Sequence, residues 1–121
     1  MEEVLKLADS ISDILKNSKT YCDYVKAYDK IKGNSELMER INKMKREHLD
    51  FATNYKNGNY DFGREKYISQ EFYKLMLDKD VETYFMNEHK MVQLIGEIYD
   101  RISKNCVLQI FEQERVWNKE L

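Results

Sequence analysis

Residues 34–58 read NSELMERINKMKREHLDFATNYKNG. Leu37, Ile41, Met44, His48, Phe51 and Tyr55 recur there in alternating steps of four and three. That spacing is the seam of a helix packed lengthwise against another helix. A half-buried strand would repeat every second residue, and none of these six lies two positions from another. Ser35 is the expected N-cap, because its hydroxyl can accept a bond from an otherwise unpaired backbone N–H. Glu36 and Glu39 follow in the first turn, where the helix dipole favours negative charge. Gly58 ends the run.

The same period extends on both sides. Val4, Leu7, Ala8, Ile11, Ile14 and Leu15 form one stripe on a helix of about four turns. Ser18 is the expected cap of a second helix carrying Tyr21, Tyr24, Val25, Tyr28 and Ile31. Gly33 then stands where a left-handed C-terminal residue is wanted. Residues 57–66, NGNYDFGREK, read as a connecting loop because they hold two glycines, two asparagines and an aspartate. Ile68, Phe72, Leu75 and Met76 make a shorter stripe. Asp78 or Asp80 is expected to start the last and longest helix, with apolar residues from Val81 to Cys106. Its stripe is wide enough to touch more than one neighbour. Residues 107–121 read as a C-terminal tail, helical for a few turns and then frayed.

The 121 residues include no proline and only four glycines, which suits helix better than a turn-rich sheet. The chain is long enough for one core and too short for two ordinary domains. The expectation is an all-α protein over residues 1–121: an elongated bundle of four to five helices built from antiparallel helical hairpins. Long helices with sustained stripes bury apolar surface poorly alone, so self-association is expected, most simply as a dimer.

Charge excludes several classes of function. The formal net charge is -2. Residues 1–34 carry six acids and six bases, residues 35–66 six and seven, and residues 67–121 ten and seven. No block has the basic excess of a nucleic-acid or anionic-membrane face. No apolar run approaches the roughly 20 residues of a membrane helix. The acidic N-terminus does not read as a signal peptide. The two cysteines, Cys22 and Cys106, do not read as a secreted disulfide framework, and a cytoplasmic location with reduced thiols is expected.

No catalytic motif is visible: no GxSxG, no phosphate-binding glycine loop and no metal-ligand spacing among Cys22, Cys106, His48 and His89. No metal, cofactor or catalytic residue is expected. Tyr21, Tyr24 and Tyr28 share a helix face, and such a face is core or interface, with the rings packed and the hydroxyls wet. Phe51 and Tyr55 end the 37–55 seam. Tyr60 and Phe62 sit in the loop, where aromatics either fold back or present a binding surface. These seven are the candidate interaction residues. Lys43, Lys45 and Arg46 form the densest basic cluster and support an alternative, direct RNA binding, which the near-neutral segment charge disfavours.

Several stretches resemble a known family: Ala8-Asp9 in the first helix, SKTYCDY at 18–24 leading to AYDKI at 27–31, SELMERI at 35–41 and VETYF at 81–85. Over roughly residues 4 to 105 the chain is similar to the YlbF/YmcA family of small bacterial helical proteins. The resemblance implies a helical, oligomeric, cytosolic regulator without enzymatic activity. Its characterised members join another family member and a PSP1-domain protein in a complex that influences ribonuclease Y, messenger RNA processing, competence, sporulation and biofilm formation. Some members of that complex hold iron-sulfur clusters through cysteines, including cysteines near a C-terminus. No cysteine follows Cys106 here, so the cluster is not carried over.

Overall fold

A computed structural model describes residues 1–106. Five helices follow one another: α1 (Glu2–Lys16), α2 (Lys19–Ile31), α3 (Ser35–Lys56), α4 (Phe62–Met76) and α5 (Lys79–Cys106). There is no strand among the described residues. The expected tail at 107–121 lies outside them.

Short polar side chains decide where the helices start. Ser18 accepts from the Tyr21 N–H, as its position predicts. At α3 the cap is Asn34, not Ser35: the Asn34 side chain accepts from the Leu37 N–H at 3.1 Å. Either residue type can cap, and it is Asn34 that holds the extended conformation capping needs. Asp61 caps α4 by accepting from the Arg64 N–H at 3.0 Å, so α4 begins at Phe62, inside the stretch 57–66 read as loop. Asp78 Oδ1 accepts from the Asp80 N–H at 2.9 Å at the start of α5.

Helix ends separate two glycines that look alike in sequence. Gly58 has φ +85°, the left-handed region that favours glycine. Gly33 does not have positive φ, and the chain leaves α2 through a right-handed turn at Lys32. Gly58→Ala should therefore cost about 1 kcal/mol, since a Cβ is disfavoured at that φ even with open space around it. Gly33→Ala should be neutral or slightly stabilising. Paired thermal melts of the two variants check this.

The core is drawn from four helices. Ala27 and Ile31 of α2, Ile41 and Met44 of α3, Ile68 and Leu75 of α4, and Val81 and Tyr84 of α5 form one buried cluster. Tyr24, Leu37, Met38, Phe51 and Phe85 pack against it. The main pairings are α2 with α5 and α3 with α4, and α4 also packs on α5. Two ion pairs tie the α3–α4 hairpin: Arg40 to Glu71 at 2.9 Å and Arg64 to Glu47 at 3.0 Å.

α1 stands apart. None of its residues is buried, and its main contact is with α2. The joint between them is well defined. Ser18 donates from its hydroxyl to the Leu15 carbonyl at 2.6 Å while accepting from Tyr21. Asn17 donates to the Asp13 carbonyl at 2.9 Å, and the Cys22 thiol donates to the Lys16 carbonyl at 3.7 Å.

Candidate protein-interaction site

The seven candidate residues fall into two groups. Phe51 and Tyr55, one turn apart on α3, meet Tyr60 from the following turn. Their ring centroids are 6.0 to 6.3 Å apart, and Tyr60 stands edge-on to both others. The fold brings them together because Gly58 reverses the chain directly after α3. The nearby Glu65 carboxylate raises the pKa of the Tyr60 phenol. Tyr55, Tyr60 and Phe62 stay largely in solvent at 61%, 55% and 68% exposure, while Phe51 is half-buried. The 37–55 seam thus closes at Ile41 and Met44 and opens at its C-terminal end.

The second group sits on the core. Tyr24 and Tyr28 flank Tyr84 of α5, with ring centroids at 5.8 and 6.1 Å. Tyr21 lies half-buried in the first turn of α2. The tyrosine face is therefore the rim of the α2–α5 packing, with Tyr28 its most exposed member of the pair at 38%.

Tyr84 belongs to a polar knot that joins residues far apart in sequence. Lys45 of α3 donates to the Tyr84 hydroxyl at 2.8 Å and to the Glu88 carboxylate. Tyr84 in turn donates to Glu88 at 2.8 Å. The Lys45 ammonium also lies 4.9 Å from the Tyr84 ring centroid. Burial pushes the Tyr84 phenol far above the ordinary tyrosine range, and the Glu88 carboxylate pushes it further. The native state thus holds the protonated phenol more tightly than the unfolded chain does. Its contribution is fully present below the unfolded tyrosine pKa of about 10 and is lost as pH rises above it. Stability should fall above about pH 10 more steeply in the parent than in Tyr84→Phe, as read by denaturant melts across that window.

The knot also breaks up the basic cluster. Lys45 is half-buried and engaged by Tyr84 and Glu88, Lys43 lies 5.8 Å from the Tyr67 ring centroid, and Arg46 is exposed. The three cations do not make one solvent face. His48 is half-buried on the seam and His89 is exposed. Among the described residues, no group of three or more His, Cys, Asp or Glu side chains could hold a metal ion.

What solvent meets instead is apolar helix. Val4, Leu7 and Ile14 of α1 are 63–71% exposed, and Val92, Ile95, Tyr99 and Ile102 of α5 are 40–50% exposed. Sequence reading recognised both stripes as helical but nominated neither for contact. Period alone reports a packing face and is silent on whether a neighbour is present.

Five helices in this order with long exposed apolar faces can be compared directly with known families. Residues 4–106 match the family described as control of competence regulator ComK, YlbF/YmcA. The chain belongs to the YlbF/YmcA family. The match spans all five helices almost from end to end. Comparisons with curated proteins and with solved structures return no match. The YlbF/YmcA family is a regulatory one, concerned with competence control, and a regulatory role with protein partners follows for this member. Among the described residues, no helix is long and apolar enough to cross a membrane.

Proposed function

We propose that this YlbF/YmcA member is a non-catalytic adaptor of the cytoplasm that works through protein–protein contact. It self-associates and engages another family member, a PSP1-domain protein or ribonuclease Y, and so modulates RNA processing, competence, sporulation and biofilm formation. One observation carries the reading. The cations nearest the core are engaged within the bundle, whereas the side chains offered to solvent include rows of large apolar and aromatic residues. Such rows mark surfaces that other proteins cover. The hairpin tip of Phe51, Tyr55, Tyr60 and Phe62 is the proposed partner contact, and the rim of Tyr21, Tyr24 and Tyr28 extends the contact surface on α2.

Removal of the gene from its native cells should change the 5′ ends of ribonuclease Y-dependent transcripts. The parent gene should restore them. A Tyr55→Ser, Tyr60→Ser, Phe62→Ser variant should melt within about 1 kcal/mol of the parent, because these side chains are mostly in solvent, and yet fail to restore the ends. Full restoration by that variant removes the tip from the function. Unchanged transcript ends in the deletion strain remove the pathway.

A further inference from the structure

The exposed stripe of α5 is the continuation of its buried one. Val81, Tyr84, Glu88, Val92, Ile95, Tyr99 and Ile102 follow one another in steps of three and four along the helix. Over the first turns this seam is the core: Val81 is 0% and Tyr84 4% exposed. From Val92 onward the same seam is 40–50% exposed. The reason is length. α5 has 28 residues, whereas α2 has 13 and α4 has 15. The short helices cannot cover the whole of the long one.

A second apolar row of matching length is also uncovered. Val4, Leu7, Ile11 and Ile14 of α1 step by three, four and three, as do Val92, Ile95, Tyr99 and Ile102 of α5. That order reads the same in both directions, so the two rows can interlock as helical seams in either polarity. Charge favours this pairing over α1 with α1. α1 carries four acids and two bases, while residues 90–104 carry two acids and three bases. Within one chain α1 packs chiefly on α2, and its apolar row stays exposed and does not cover the 92–102 row of its own α5.

We propose that α1 of one copy packs on the 92–102 seam of a second copy, in a two-fold dimer that exchanges both arms. This rests on the self-association proposed above and specifies its surface. Two-fold symmetry covers all four rows at once and leaves no open end for further growth. The exposed parts of the eight residues come to on the order of 700 Å² per chain, near the ~800 Å² each partner contributes to a standard interface.

The test is light scattering on the full chain, with two single variants and a crosslink. The parent is expected at twice 14.6 kDa. Leu7→Glu on α1 and Val92→Glu on α5 should each yield the single-chain mass at concentrations where the parent is fully paired. Neither side chain is part of the core, and circular dichroism checks that the helices persist. For the crosslink, Cys22→Ser, Cys106→Ser chains carrying Leu7→Cys are mixed with chains carrying either Ile95→Cys or Tyr99→Cys. A disulfide between unlike chains is expected from one of the two mixtures. A parent of single-chain mass overturns both the self-association and the exchange. A dimer that survives both glutamates, or links only like positions, keeps the self-association and overturns the exchange.

Discussion

Ile41→Ala should lower stability by about 3 kcal/mol and the melting temperature by roughly 10 °C. Ile41 is 0% exposed and sits in the buried cluster shared by α2, α3, α4 and α5. Removing three carbons there loses their transfer free energy and leaves a cavity that close-packed neighbours fill only in part. Val81 and Leu75, at 0% and 2%, should respond similarly when truncated. Leu77→Ala is the control. Leu77 is 69% exposed, and its truncation should stay within about 0.5 kcal/mol. Equal effects at Ile41 and Leu77 in urea melts would place the core elsewhere.

The second large effect belongs to the Lys45–Tyr84–Glu88 knot. Glu88→Ala leaves the Lys45 ammonium without its carboxylate and the Tyr84 hydroxyl without its acceptor. Breaking one side of a fully buried pair costs ~3–5 kcal/mol. Here the Lys45 and Glu88 side chains are 35% and 28% exposed, so water takes over part of the loss. A cost of about 2 kcal/mol is expected. Lys45→Met alone should cost about 1 kcal/mol, because its stem still packs over the rings. The pair Lys45→Met, Glu88→Leu should recover most of the loss, since no charge is then stranded. A double-mutant cycle built from Lys45→Met, Glu88→Leu and their combination reads this directly. Additive costs would mean that the three groups do not act as a unit.

The knot also shows where sequence reading stops. Lys45 lies between Met44 and Arg46 in a run that looks basic and solvated. Its partners are 39 and 43 positions away, and no local pattern joins them. Helix identity was far more legible. The 37–55 seam, the α1 stripe, the Ser18 cap and the long last helix all follow from spacing and capping chemistry, which are local. Boundaries were less so. Asn34 and Ser35 are both good caps, and adjacent residues compete for one role on differences of a few tenths of a kcal/mol. Gly33 and Gly58 both follow a helix, and only the path of the next segment decides which must be left-handed.

Burial was the least legible property. The seam of α5 keeps one period from Val81 to Ile102, yet its first half is core and its second half is half-open. The difference comes from the lengths of α2 and α4, not from α5 itself. For the same reason the tyrosines of α2 and the aromatics near the loop looked equivalent as candidates. The fold sends Tyr24 and Tyr28 against Tyr84 and leaves Tyr55, Tyr60 and Phe62 in solvent around a reversal of the chain.

An adaptor is defined by what it holds, and co-purification of the gently tagged full chain from its native cells, read by mass spectrometry, measures that most directly. The account predicts recovery of a second family member, a PSP1-domain protein or ribonuclease Y with the parent, and their loss with the Tyr55→Ser, Tyr60→Ser, Phe62→Ser variant. Recovery of copies of the chain alone would contradict it, and the apolar faces would then serve self-assembly only.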